Sequence, residues 1–329
     1  MSYLKTPSSL PLLEALCWNI KNPYNLTPSE ILNIYERYWR FKDVLGEPSP
    51  EEIKFINQLT TIKGSYSLVT MTKNKQQHYQ NILVILKNLN LEFLRQCEAY
   101  LGGGTLINLE TDCFRYSADI DFICSTVAGY KLLRQRIFSE GHRCLFKDDL
   151  LNKEITLDRM PKIDRYGIRF PILVSTERIP IKLGIITETR VKLGNPLFPD
   201  WNKELASLNI RDRYVLKLMA NSDRYLDKSV YSRDLIDLTM LRNNYPLPSG
   251  AILTAEAIYG VTEQLVEAIT LFQKDSEYRE NCYRQLQIEE PYKIINGLDL
   301  LAQDLALETT ERTKERNQFF LFGMTKTIV

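Results

Sequence analysis

The sequence predicts an α+β protein with a mixed β-sheet core flanked by N-terminal helices and a C-terminal helical bundle. Three observations predict this fold class: helical patterns fill the first 90 residues, strand-like segments cluster in the middle third, and helical periodicity then returns to the end. We therefore expect an N-terminal helical region (1–90), an α/β core (91–195) and a C-terminal helical domain (196–329).

The composition is that of a globular chain without special chemistry in its cysteines or histidines. The 329 residues are 44% hydrophobic and 25% charged, close to the average for soluble domains. Six cysteines form no CxxC pair and only two histidines occur, which disfavours a disulfide framework, a zinc site or a histidine base. The first residues lack a signal-peptide pattern, and no apolar run reaches the length of a membrane span. We expect a cytoplasmic protein without a membrane partner.

Clear start signals open the predicted N-terminal helices. Thr27, Pro28 and Glu30 combine an N-cap, a first-turn proline and an acid three residues after the cap. The segment 49–52, Ser-Pro-Glu-Glu, repeats this signal before the next apolar periodicity. A third helix is predicted from Lys73 to Leu89.

The later elements follow from changes in periodicity and from turn residues. In the core we expect a strand before Gly102, a helix at 105–109, a strand at SADIDFICS, a helix at GYKLLRQRIF, and strands at 154–160, 166–175 and 179–187. The C-terminal helices are predicted at 211–226, 231–243, 254–272 and 291–307, with Gly260 weakening or breaking the third.

Asp119 and Asp121 are the first candidate functional residues. They alternate with Ile120 and Phe122, so a strand would place both carboxylates on one face. Adjacent carboxylates repel each other, and a hard divalent ion such as Mg²⁺ (or Mn²⁺) with oxygen ligands relieves that repulsion. Two solvated aspartates would give the same pattern, so spacing alone leaves both interpretations open.

The glycines at 102–104 lie between a predicted strand and a predicted helix. Such a turn brings backbone N–H groups close to a phosphate, and the helix N-terminus adds a favourable dipole. A tight turn with positive φ would use the same residues. The spacing fits neither GxGxxG nor GxxxxGK[ST], so a Rossmann or P-loop site is not supported.

These elements together resemble the AbiEii/AbiGii toxin family of the polymerase-β-like nucleotidyltransferase superfamily. The family pairs a Gly-Gly-[Ser/Thr] loop with R-x-S-x-D-I-D-[FL], which residues 103–105 and 115–122 match in order. A second block at 216–241 is similar to the family's downstream helices. There Lys217 and Asp234 match the family's Lys and Asp. The resemblance covers roughly residues 95–245 and implies a nucleotidyltransferase-type core; by pattern alone, the second block is an ordinary amphipathic helix.

The resemblance also implies roles for individual residues. Asp119 and Asp121 would bind the metal ion and act in catalysis together with Lys217 and Asp234. Asp234 would bind metal, help to deprotonate the acceptor, or position Lys217. The nucleotide-binding set would be Gly103, Gly104, Thr105, Arg115, Ser117, Lys182 and Arg233. Asp237 follows Asp234 by three residues on the same helical face.

The third carboxylate of the superfamily has no obvious counterpart. It is expected on the strand at 179–187, where Lys182 and Gly184 share one face and Gly184 occupies the expected position. The other candidates are Glu188, Glu177, Asp158 and the helical Asp234. Without any of them the metal site is incomplete and the protein inactive.

The net charge of +1 hides an uneven distribution. Residues 131–190 carry 13 basic and 8 acidic residues, whereas residues 251–329 carry 8 and 13. A basic face beside the predicted site suits a polyanion such as tRNA, although solvated charges scattered over strands would give the same count. The resemblance implies a metal-dependent nucleotidyltransferase that uses an NTP, modifies RNA, and acts as the toxin of a toxin–antitoxin or antiphage system with a cognate antitoxin. The alternatives are a degenerate module that binds RNA or protein, and a small-molecule nucleotidyltransferase.

Overall fold

The structure is a computed structural model that describes residues 6–17, 20, 22–38, 48–63, 68–147, 154–157, 160–174 and 180–311. The chain divides into two compact units, Met1–Lys87 and Asn88–Val329. The further boundary expected at residue 195 stays a prediction. Every helix in the described ranges is too short or too polar to span a bilayer.

The first unit is helical, and its start signals act locally as predicted. Its helices are α1 (Pro11–Leu16), α2 (Pro28–Tyr38), α3 (Pro50–Lys63) and α4 (Leu68–Asn88), which begins five residues before the prediction. At the start of α2, the Thr27 N–H donates to the Glu30 carboxylate over 2.8 Å, and the Glu30 N–H donates to the Thr27 hydroxyl over 3.3 Å. This reciprocal pair confirms the predicted capping box.

The second start signal differs from the first, because the carboxylate of its acid, Glu52, accepts hydrogen bonds from another helix. The Ser49 hydroxyl accepts from the Glu52 N–H over 3.1 Å, so Ser49 caps α3 as predicted. The fully buried Glu52 carboxylate instead accepts from the Leu12 and Leu13 N–H groups at 3.0 and 2.8 Å. It also accepts from the Tyr35 hydroxyl at 2.6 Å. Glu52 therefore satisfies the free N–H groups at the start of α1.

The second unit contains the mixed sheet that the sequence predicts. Its strands are β1 (Ala99–Gly102), β2 (Asp119–Cys124), β3 (Ile155–Thr156), β4 (Lys162–Asp164), β5 (Gly167–Val174) and β6 (Ile181–Thr187). Within the described residues they form one sheet in the order β1-β2-β6-β5-β3, with β4 paired to β5. β2 and β6 are parallel and the other pairs are antiparallel. This arrangement confirms the α+β class.

Helices surround this sheet and fill the rest of the second unit. They are α5 (Leu91–Gln96), α6 (Gly103–Glu110), α7 (Val127–Glu140), α8 (Ile210–Arg224), α9 (Arg233–Asn244), α10 (Ser249–Glu256), α11 (Thr262–Lys274), α12 (Ser276–Gln285) and α13 (Pro291–Asp304). The predicted break near Gly260 is confirmed, because α10 ends and α11 begins on either side of it. Ile107 of α6 and Phe114 share one hydrophobic core with the C-terminal helices. This shared core joins α6 and the segment after it to the C-terminal helices.

Several elements differ from the sequence expectations, among them α1 and β4, which were not predicted. The segment before Gly102 begins with α5, capped by Asn90, and leaves only four residues for β1. The strand expected at 154–160 is reduced to Ile155–Thr156. α12 was missed because it buries only Cys282 and Tyr283, which is too little for a visible apolar periodicity.

Candidate functional site

The turn between β1 and α6 lies against Asp121. Gly103 has a φ of +67°, a left-handed conformation that favours glycine. A Cβ atom added to Gly103 would lie 3.1 Å from Oδ2 of Asp121, and one added to Gly104 would overlap Nη2 of Arg115. Because α6 begins here, the N–H groups of its first turn have no partner within the helix. The two glycines thus bring these N–H groups close to two charged side chains.

Strand β2 presents Asp119 and Asp121 on one face and buries the apolar side chains between them, as predicted. Oδ2 of Asp119 lies 2.5 Å from Nζ of Lys182 on β6. Burial raises the pKa of Asp121 above its ordinary value, and the nearby charge of Asp119 raises it further. Three cationic side chains partly oppose this shift, namely Lys182, Lys217 and Arg233.

The parallel pairing of β2 with β6 identifies the residue beside Asp121. Asp119 pairs with Lys182, and Asp121 pairs with Gly184. A Cβ atom added to Gly184 would lie 2.9 Å from Oδ1 of Asp121. Gly184 therefore occupies the position next to Asp121 where the sequence led us to expect an acid.

Among the described candidates for a third carboxylate, Glu188 does not replace Gly184. Glu188 follows it by four residues, a separation of about 13 Å in an extended chain, and its carboxylate binds Arg190 at 2.6 and 2.9 Å. Glu177 and Asp158 lie outside the described residues. In the part of the chain that the structure describes, no three His, Cys, Asp or Glu side chains form a group that could hold a metal ion.

The pair of aspartates fits a Mg²⁺ or Mn²⁺ ion. Oδ2 of Asp121 faces Gly103 and Oδ1 faces Gly184, so a Cβ atom at either position would crowd the carboxylate. Mg²⁺ is commonly held by one or two carboxylates while water and substrate phosphates supply its other ligands. Asp119 and Asp121 provide that number and type of oxygen donors.

Thr105 and Ser117 connect the start of α6 to the start of β2. The Thr105 hydroxyl lies 3.0 Å from the Ser117 hydroxyl and donates to the backbone carbonyl of Asp119. Thr105 is 1% exposed, so its side chain anchors the two elements to each other. Because the Thr105 hydroxyl is engaged within the protein, only the backbone N–H of Thr105 could make the predicted phosphate contact.

A largely buried chain of ion pairs lies against the turn at Gly104. Arg115 donates to both oxygens of Asp237, with Nε–Oδ1 and Nη2–Oδ2 distances of 2.6 and 2.8 Å. Nζ of Lys217 lies 2.5 Å from Oδ2 of Asp237 and 3.0 Å from Oδ1 of Asp234. Arg224 donates to both oxygens of Asp234 at 2.5 and 2.9 Å. With three cations and two carboxylates, the network carries one excess positive charge.

The cations keep both carboxylates of this network ionised. Burial alone would raise the pKa of Asp234, but Lys217 and Arg224 lower it below its ordinary value. Arg115 and Lys217 have the same effect on the pKa of the buried Asp237. Cationic side chains bind both oxygens of Asp234. The sequence left three roles open for this residue: binding metal, helping to deprotonate the acceptor, and positioning Lys217. Its contacts correspond to the third role.

The sequence patterns did not reveal the part that Arg224 and Asp237 play in this network. A signal for Arg224 was present, since it follows Lys217 by seven residues and so lies on the same face two turns later. Asp237 was noted on the face of Asp234, but its pairing with Arg115 joins residues 122 positions apart. No local pattern reports such a contact.

A cavity of about 440 Å³ in the second unit is lined by residues of the glycine turn, of β2 and of the ion-pair network. The predicted site residues that line it are Gly103, Gly104, Arg115, Ser117, Asp119, Asp121, Lys217 and Arg233. Thr105, Lys182 and Asp234 do not line it. The side chain of Arg233 forms no hydrogen bond or ion pair within the described ranges. It follows two residues with positive φ, Tyr231 at 53° and Ser232 at 49°, and backbone strain of this kind is common at functional sites.

Comparison with known proteins gives one family match. The model for the family described as nucleotidyl transferase AbiEii toxin, type IV toxin–antitoxin system, matches residues 85–296, more than half of the chain. No match is found among curated proteins. Two solved Helicobacter pylori structures are similar. One, described as a candidate nucleotidyltransferase, has 17% identity, a TM-score of 0.41, and coverage of 71% of this chain and 95% of its own. The other, JHP933, has 16% identity, a TM-score of 0.40, and coverage of 76% and 98%.

Proposed function

Because this chain belongs to the AbiEii family of nucleotidyl transferase toxins, we propose that it transfers a nucleotidyl group from an NTP to an RNA acceptor such as tRNA, with Mg²⁺ or Mn²⁺ bound. The observation that carries the proposal is the position of Asp121. Its carboxylate faces Gly103 and Gly184, and it lines a cavity that also contains Lys217 and Arg233. The type IV toxin–antitoxin family also implies an antitoxin partner and a nucleotide substrate.

The chemistry requires in-line attack of an acceptor hydroxyl on the α-phosphate and departure of pyrophosphate. Asp119 and Asp121 would hold the divalent ion, which when bound offsets charge on the phosphate oxygens. The N–H groups of Gly103 and Gly104 bind the outer phosphates at the positive end of α6. Lys217 donates two of its three N–H bonds within the network, so its third can reach the triphosphate.

Charge around the site supports a polyanionic acceptor. The cavity lining has five basic residues and three acidic ones, which disfavours a cationic small molecule such as an aminoglycoside. Lys131, Arg134, Lys162 and Arg165 are exposed on α7 and on the β4–β5 hairpin. The Tyr130 hydroxyl donates to the Asp164 carbonyl and so holds α7 beside that hairpin. We call these four exposed cations the basic surface; it would bind the RNA backbone.

A labelling experiment tests the proposal. The purified full chain is incubated with each of the four labelled NTPs, total tRNA, and Mg²⁺ or chelator. We expect Mg²⁺-dependent label in RNA, lost in Asp121→Asn and retained in Asp200→Asn, whose side chain is 99% exposed. RNA binding without incorporation would indicate a degenerate module. Incorporation that is equal in Asp121→Asn and wild type would refute the proposed role of Asp121.

A further inference from the structure

The two aspartates of β2 have different partners. Asp119 is paired through its Oδ2 with the ammonium of Lys182 at 2.5 Å, and strand register holds the two residues opposite each other. The carboxylate of Asp121 forms no hydrogen bond or ion pair with any described residue, although Asp121 lines the cavity. One carboxylate is thus already neutralised by the protein, and the other is available to a ligand.

Nearby carboxylates in the described ranges are committed elsewhere. Asp234 and Asp237 are each bound by two cationic side chains, which already contact both oxygens of each carboxylate. Gly184 contributes no side-chain oxygen to the side of Asp121 that it faces. A second divalent ion would therefore have to compete with the ammonium of Lys182 for Asp119.

We propose that this site binds one divalent ion per nucleotide, held mainly by Asp121, and that Lys182 replaces a second ion by neutralising Asp119. The inference rests on the proposed function, because the ion and the NTP bind together through shared phosphate oxygens. Lys182 is then a positioning residue that acts through Asp119, and it differs from the phosphate-binding residue that the sequence suggested.

Counting bound metal tests the inference without relying on turnover. The full chain is equilibrated with Mn²⁺ and the α,β-methylene analogue of each NTP and then separated from free ligand. Manganese and nucleotide are measured per chain. We expect one manganese ion per bound nucleotide in the wild type. Two ions per nucleotide would overturn the inference and leave the proposed nucleotidyl transfer standing, whereas no manganese bound with any analogue would overturn both.

Matched variants test the part played by Lys182. Lys182→Met removes the ammonium and keeps the stem, so a second manganese ion should bind; Lys192→Met, at an exposed position after β6, should stay at one. Gly184→Asp should also add an ion, whereas Gly184→Ala fills the same space without a carboxylate and should not. One ion in Lys182→Met would overturn the assignment of Lys182, and the wild-type count stands even if a variant at 184 fails to fold.

Discussion

Removing Asp237 should destabilise the second unit strongly, because two buried cations share its carboxylate. The side chain is fully buried and contacts Arg115 at 2.6 and 2.8 Å and Lys217 at 2.5 Å. In Asp237→Ala, only Asp234 would remain beside the buried Arg115 and Lys217 and the partly exposed Arg224, so the buried guanidinium of Arg115 would lose its carboxylate partner. Breaking a buried pair in this way costs about 3–5 kcal/mol. With a shift of about 2–4 °C per kcal/mol for a unit of this size, Tm should fall by about 6–20 °C.

Thermal and urea unfolding followed by circular dichroism measure this loss. The control is Asp304→Ala, which breaks a pair with Arg242 whose side chains are 25% and 20% exposed, and it should cost less because water reaches both groups. Adding Arg115→Met to Asp237→Ala should recover part of the loss, because it removes one unpaired buried charge. The reasoning is refuted if Asp237→Ala and Asp304→Ala unfold within about 1 kcal/mol of each other.

Three further predictions follow from the same geometry. Because Arg115 and Lys217 lower the folded-state pKa of Asp237, its stabilisation is complete above the unfolded value of about 3.9 and is lost as the pH falls through the folded one. The difference in unfolding free energy between wild type and Asp237→Asn should therefore shrink below about pH 4. Urea titrations at several pH values measure this difference, and a difference that stays constant down to low pH would contradict the prediction. Gly103→Ala should cost about 1–2 kcal/mol of stability and most nucleotide incorporation, because it forces a side chain into a left-handed position against Asp121. Gly141→Ala, at φ +77° with no neighbour within 4 Å, should cost similar stability and keep incorporation; equal incorporation by both variants would contradict the role of Gly103. Charge reversal of Arg134 and Arg165 on the basic surface should weaken RNA binding, and it should lower the slope of log affinity against log salt concentration by about one per lost phosphate contact. Filter binding measures both quantities. An unchanged slope would indicate that these residues are solvated charges that do not contact RNA.

Local sequence patterns predicted the elements whose stabilising contacts are also local. Thr27 and Glu30 complete each other's hydrogen bonds within one helical turn, so their spacing was sufficient. Glu52 shows the limit of this approach, because an identical local signal leaves its carboxylate bound 39 and 40 residues away. α12 was missed for a related reason, since its stability comes from two buried residues packed on other helices.

The same distinction applies to the candidate site. The alternation of Asp119 and Asp121 placed both carboxylates on one face correctly, because side-chain direction in a strand repeats every two residues. The position of Gly184 followed from pairing two strands, and the register confirms it. Thr105 was placed in the right turn, but the burial of its hydroxyl depends on how α6 packs against β2.

The sequence by itself determined the fold class, the face that carries the two aspartates, and the glycine turn beside them. These follow from periodicity and backbone conformation, which are properties of consecutive residues. Only the tertiary structure decided that Lys182 neutralises Asp119, that Asp234 and Asp237 hold Lys217, and that Asp121 is left available to a ligand. Each of these contacts joins separate elements, and their electrostatic strength depends on burial, which no local stretch of sequence specifies.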